Sequence, residues 1–281
     1  FRDPSPFPAP SLFHRKVPTP MKFSKFLTAL VCLPAVFSGT AHAQSAPAED
    51  RASYTISMNQ DTFFGFYPIF TSAYKVNDKV DWTTYGIFWT TPSFGTGGGS
   101  GLWTEFGTGV NFKAYEGKLT INPQLGFLNG KLLSNGNFPM AFEGFVPSLT
   151  ANVNTSKAEG QLYAGFYTAL RKGRVPDSAG TGLTAAPVQN NFVHWWINGG
   201  YKIAPVISAG LHYEALDFRA SGSGSSGIPN AGVYKWLGPY VQANLSSKFS
   251  VRFTFGANVM DRPATDGNDS FYKLGATYTF P

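Results

Sequence analysis

Charge is scarce in this 281-residue chain. Asp, Glu, Lys and Arg together make up 14%, well under the roughly 25% of a soluble globular domain. There is one cysteine, Cys32, so no disulfide within the chain and no thiolate cluster can form. No long apolar span dominates, and the mean hydropathy is −0.11. Beyond residue 51 no segment sustains a helical period. The Gly-rich stretch "SFGTGGGSG" at 93–101 lacks the Lys-Ser/Thr pair of a phosphate loop and has no helix after it, which makes it an external loop.

Aromatic residues, by contrast, are plentiful at 16%, with 26 Phe and 13 Tyr, and Gly (31) and Pro (20) punctuate the whole length. Apolar surface scattered among polar residues, with frequent turn formers, describes a β-rich protein.

The N-terminal part reads as targeting sequence. Met21 opens "MKFSKFLTALVCLPAVFSGTAHAQS", in which Lys22 and Lys25 precede a short apolar core from Phe26 to Phe37. Ala41-His42-Ala43 is a small-x-small cleavage site. We expect residues 1–20 to be translated upstream sequence, 21–43 a signal peptide, 44–52 a linker and 53–281 one domain. Cys32 lies inside the signal. Residues 1–43 carry five basic residues and one acid, so 17 positive and 15 negative side chains remain beyond them. That near-balance removes the case for a nucleic-acid partner.

From residue 53 onward the pattern has period two. In "LWTEFGTGVNFK" Leu102, Phe106, Val110 and Phe112 share a face, opposite Trp103, Glu105, Gly107, Gly109, Asn111 and Lys113. "KLTINPQLGF", "GQLYAGFYTAL" and "KFSVRFTFGANVM" repeat the alternation. Tight turns at Asn77-Asp78, Tyr115-Glu116-Gly117, Thr155-Ser156-Lys157, Ala204-Pro205 and Ser246-Ser247 alternate with longer links at 92–101, 133–142, 171–190, 220–232 and 261–269. Runs of this length match the ~9–11 residues that cross a bilayer at a ~45° tilt, and strands in lipid satisfy their backbone only by closing on themselves. The pattern predicts an all-β, antiparallel, up-and-down transmembrane barrel of about twelve strands, within a range of ten to fourteen. Twelve requires a first strand at about Ser53 to Met58, bending near Asn59-Gln60.

The final strand, "YKLGATYTFP", places Tyr278 and Phe280 on its apolar face, as an aromatic girdle would require. It resembles the C-terminal signature of bacterial outer-membrane barrels, except that Pro281 follows the terminal aromatic. The stretches "SYTISMNQDTFFGFYPIF", "YGIFWTTPSFGTGGGSGLWTEFG" and "INPQLGFLNGKLL" resemble an uncharacterised bacterial family of exported, predicted barrel proteins, porin-like in character. The resemblance covers residues 53–281. It implies a Gram-negative outer-membrane location, with outer-membrane lipid, lipopolysaccharide and the assembly machinery as partners, and it brings no catalytic residue.

Functional candidates lie on the predicted inward face. Glu105, Lys113, His194, Trp196, Lys202, His212, Glu214, Arg252 and Lys273 are the expected lumen-lining residues, with Trp103, Tyr163, Tyr167, Trp236 and Tyr240 among them. Recurrent inward glycines either leave room for water or ease strand curvature. We expect a passive, narrow path for small polar solutes. The alternatives are a plugged structural or surface-binding barrel and a soluble secreted β-sandwich or lectin. His194 and His212, with Ser208 and Glu214 near, carry no nucleophile motif, so no enzyme and no cofactor are expected. "DGND" at 266–269 with Asp261 lacks the ligand spacing of a calcium loop, and no metal is expected. "RKGR" at 171–174 could meet lipopolysaccharide phosphates.

Overall fold

A computed structural model describes residues 51–89, 103–261 and 269–280. Residues 1–48 and 49–281 separate as two units, and the described residues belong to the second. The expected signal peptide, the Gly-rich stretch at 93–101 and most of the "DGND" segment lie outside the described residues.

Among the described residues fourteen strands run in chain order: β1 (Ala52–Asp61), β2 (Gly65–Asn77), β3 (Val80–Trp89), β4 (Trp103–Ala114), β5 (Leu119–Gly130), β6 (Met140–Asn154), β7 (Ala158–Ala169), β8 (Arg174–Pro176), β9 (Leu183–Ala185), β10 (Gln189–Ala204), β11 (Ile207–Ser221), β12 (Ala231–Asn244), β13 (Phe249–Asn258) and β14 (Ser270–Phe280). Twelve of them form a closed antiparallel barrel, each strand paired with its sequence neighbour, and β1 closes it against β14. The closing register runs from Tyr54 opposite Phe280 to Asp61 opposite Lys273. Strands β8 and β9 form a small separate hairpin within the β7–β10 link. Closure leaves no barrel strand with an open edge, and it rules out the sandwich alternative.

The connections define two ends. At the turn end β4 passes to β5 through Tyr115, Glu116 and Gly117, all with positive φ, the backbone that a tight hairpin demands. The loop end carries the longer links, with one exception. Strand β1 does not bend at Asn59-Gln60 but continues to Asp61, and three residues, Thr62–Phe64, lead into β2. The Asp61 carboxylate accepts the backbone N–H of Phe63 (2.9 Å) and of Phe64 (2.6 Å), an Asx-type turn. That turn directs Phe64 against Tyr67, Trp89 and His194.

The outer wall is apolar and exposed. Phe70, Phe106, Leu125, Leu149, Phe166, Leu211, Leu237 and Phe253 all lie there. Near the turn end sit Tyr54, Tyr74, Trp82, Phe112, Tyr278 and Phe280, also exposed. The Tyr278 and Phe280 rings meet edge to face at 4.9 Å. Buried residues lie inside the barrel, in two aromatic clusters bridged by Phe64 and Phe192. One contains Tyr67, Trp89, Leu128, Leu133, Val146 and Tyr167; the other contains Leu216, Tyr234, Trp236 and Phe271.

Inward glycines serve this packing. A Cβ at Gly107 or at Gly126, on adjacent strands, would strike the Tyr85 ring. The glycines therefore make the bed on which Tyr85 lies, rather than leaving open water there. Gly126→Ala is expected to displace Tyr85 and cost ~1–3 kcal/mol as an overpacking change, read as a lower urea midpoint of the refolded barrel. Gly199→Ala, with nothing within 4 Å of the new methyl, should leave the midpoint unmoved.

Candidate functional site

The lumen changes character along its axis. On β5 the inward residues Thr120, Asn122 and Gln124 are half-buried, whereas Gly126, Leu128 and Gly130 are buried. On β6 the same step separates Thr150 and Ser148 from Val146 and Gly144. Water therefore reaches inward side chains from the turn end and is squeezed out toward the loop end. A cavity of about 650 Å³ occupies the accessible part. Its wall is largely hydroxyl and carboxamide, with Thr55, Ser57, Asn59, Thr71, Asn122 and Gln161 among the lining groups. Toward the loop end it meets Phe64, Tyr67, Trp89, Glu105, His194 and Lys273.

Alternation explains why this face is polar. Each inward residue of β1 stands opposite an inward residue of β14, and Ser57 with Thr277 (2.9 Å) and Thr55 with Thr279 (3.1 Å) bond across the closing seam. A twelve-strand barrel is wider than the ~8-strand size that ordinary side chains fill, so closing its loop half takes rings. Trp89 stacks on Trp103 at 4.9 Å and on Tyr67 at 5.0 Å. Trp236 stacks on Tyr234 at 4.0 Å and on Phe271 at 4.9 Å.

Two carboxylates sit within these rings in different company. Glu214 is fully buried. Its Oε1 faces His194 Nε2 at 2.8 Å and accepts the Tyr234 hydroxyl at 2.7 Å; its Oε2 faces His212 Nε2 at 3.0 Å and pairs with the Lys273 ammonium. Glu105, 1% exposed, accepts the Tyr85 hydroxyl at 2.7 Å and the Trp89 indole N–H at 3.3 Å. Among the described residues it has no ion pair. Dipolar donors alone offset its burial.

The turn half holds separate networks. Arg252 donates to Glu159 (3.3 Å) and Gln242 (2.8 Å) and lies over the Tyr240 ring at 4.3 Å. Glu159 also accepts Ser208 and Tyr240. Lys113 pairs with Asp81 at 2.6 Å. Lys202 reaches Asn154 and the Thr155 carbonyl, bracing the β6–β7 turn.

Of the nine candidates, Glu105, His194, Trp196, His212, Arg252 and Lys273 line the cavity, while Lys113, Lys202 and Glu214 do not. The two histidines converge on Glu214, but the Ser208 hydroxyl goes to Glu159 instead. Asp61, Tyr67, Tyr85, Trp89 and Glu159 escaped the sequence reading. Over "VDWTTYGIFW" both faces of β3 carry aromatics, so alternation cannot tell Tyr85 and Trp89 from Trp82 and Phe88. Asp61 and Glu159 fall just beyond the strand ends inferred from sequence.

Over the loop mouth, Glu143 is fully buried and accepts the backbone N–H of Leu132, Leu133 and Ser134, plus the Ser134 hydroxyl. The β5–β6 link is tied to the β7–β10 link by Gly173 N–H to Ser134 O (2.8 Å) and Asn137 N–H to Arg174 O (2.9 Å). Leu133, held by this lattice, is fully buried in the aromatic cluster.

A closed antiparallel barrel with an apolar outer wall and a polar lumen has the architecture of a transmembrane β-barrel. The chain belongs to a family of unknown function, DUF6733, whose profile matches residues 21–280. A search of curated proteins returned no match. Among solved structures, an outer-membrane channel from Pseudomonas putida F1 superposes with a TM-score of 0.53 at 10% identity, covering 86% of this chain and 99% of that one. The KdgM porin gives a TM-score of 0.45 at 10% identity over 81% of this chain and 99% of its own. The NanC porin gives 0.44 at 10% identity over 80% of this chain and 98% of its own.

Proposed function

We propose that this protein is an integral outer-membrane barrel of a Gram-negative bacterium. It admits small polar solutes into its lumen from the turn end and passes them only when the aromatic layer under the loops gives way. Outer-membrane barrels carry short periplasmic turns and longer extracellular loops, which sets the turn end in the periplasm. The exposed apolar wall supports the lipid setting, since a soluble monomer rarely shows a contiguous apolar patch beyond a few hundred Å². On this reading the wall meets outer-membrane lipid, the assembly machinery inserts the chain, and exposed Arg171, Lys172 and Arg174 face lipopolysaccharide phosphate.

The observation that carries the proposal is the cavity lined by hydroxyls toward the turn end and by Phe64, Tyr67 and Trp89 toward the loop end, where the buried aromatic cluster lies. Phe64 is the movable part of that layer, because it hangs from a three-residue turn and not from a strand. Refolded wild-type chain in a planar bilayer is expected to stay closed or open only in brief, rare events. Phe64→Ala with Trp89→Ala should give a steady small conductance. Steady conductance by the wild type removes the closed layer. A double variant that migrates as a folded, heat-modifiable barrel yet stays silent removes passage through the lumen.

A second reading has its own support. The stitching of the two loops over the mouth, together with the buried Glu143 and Leu133, suits a plugged barrel whose outer surface engages a partner. Silence of the double variant would favour it.

A further inference from the structure

We propose that the inner end of the cavity is a binding site for a neutral, hydroxyl-rich solute of one or two sugar rings. The proposal rests on the reading of the lumen as a vestibule that solutes enter. Its volume, about 650 Å³, falls in the ~300–1,000 Å³ range of small-molecule pockets.

The chemistry follows from which polar groups are already engaged. Lys273 is paired with Glu214, and Arg252 is shared between Glu159 and Gln242. An acidic solute would find both cations already matched. Glu105 is held by Tyr85 and Trp89 and almost wholly covered, so a cationic solute would have to break two donors away to reach it. What remains is neutral. Asn198 lines the cavity, is 6% exposed, and its Oδ1 has no hydrogen-bond partner among the described residues. Asn198 belongs to the cavity wall, and a buried amide oxygen left without a partner there calls for a donor, which a solute filling the cavity would bring. Two residues earlier on β10, Trp196 presents an apolar ring to the same space. Its indole N–H is fixed to Gln161 (2.7 Å) and its ring is stacked on Tyr163 at 4.0 Å. A rigid ring beside an unsatisfied acceptor, in a wall of hydroxyls and carboxamides, is complementary to a molecule whose faces are C–H and whose edges are O–H. Sugars have that construction.

The test is calorimetry and tryptophan fluorescence on the refolded full mature chain in detergent, with maltose, galacturonate and choline as probes. Maltose should bind, and more tightly than the other two. Asn198→Leu, which keeps side-chain volume and removes the acceptor, should weaken maltose about tenfold, the size of one neutral hydrogen bond, while the variant still migrates as a folded barrel. Should Asn198→Leu fail to fold, acrylamide quenching of the wild type decides instead, and maltose must shield its indoles. No maltose binding, tighter binding of galacturonate or choline, or maltose binding indifferent to Asn198→Leu overturns the site. Loss of the site with the closed aromatic layer intact leaves the barrel reading standing. An openly conducting barrel that still binds maltose through Asn198 would separate the two claims the other way.

Discussion

Phe70→Arg is expected to prevent stable insertion of the barrel, whereas Thr71→Arg, one residue along, is expected to be tolerated. Both positions lie near the middle of β2 and both are exposed. They differ only in which side of the pleat they occupy. Phe70 projects from the outer wall and meets Phe88 edge to face at 5.8 Å. Thr71 lines the cavity. An arginine on the lipid face at mid-membrane costs ~2–4 kcal/mol, a large part of a net stability of ~5–15 kcal/mol. An arginine in a water-filled lumen keeps its hydration, so its cost should stay within the ~0.5 kcal/mol usual at a surface. Urea titration of folding into lipid vesicles, followed by heat-modifiable migration, measures the difference. Equal losses for the two variants would mean that the apolar wall does not face lipid, and the membrane reading would fall with it.

The two faces of β4, β5, β7 and β13 were legible in sequence, because a strand with one wet and one apolar side must alternate. The same rule, with a first strand at about Ser53 to Met58 added for parity, gave about twelve strands and put Glu105, His194 and Lys273 on the inward face. It failed where both sides of a strand are aromatic. On β3 the inward Tyr85, Ile87 and Trp89 alternate with the outward Trp82 and Phe88, and period two carries no sign of which set seals the lumen. It also failed at Asp61, whose role is to bond the turn after it rather than to extend a pattern. Tertiary partnership is the third thing that one chain read linearly cannot supply. Glu214 and Lys273 stand 59 residues apart, and only barrel curvature brings β11 and β14 side chains together across the lumen. The inward glycines teach the same lesson. From sequence they suggested either space or eased strand curvature, yet the space over Gly107 and Gly126 is filled by Tyr85 of β3.

The Glu214 cluster sets the other large expected effect. Lys273→Met should destabilise the barrel by ~3–5 kcal/mol, the usual result of leaving one partner of a buried ion pair uncompensated. Glu214 has no exposed surface through which water could replace the ammonium. Its remaining neighbours are two imidazoles and the Tyr234 hydroxyl, each within hydrogen-bond distance. The combined variant, Lys273→Met with Glu214→Gln, should recover most of the loss, since a glutamine keeps an acceptor for Tyr234 and carries no charge to strand. That recovery separates an electrostatic role from simple packing: if the lysine stem were what mattered, methionine would replace it well in both backgrounds. The measurement is the urea midpoint of the three chains in the same lipid. A Lys273→Met barrel as stable as wild type would mean that Glu214 does not depend on the ammonium. Lys273 would then be a freely available cation in the cavity wall, and the preference for neutral solutes over acidic ones would lose its footing.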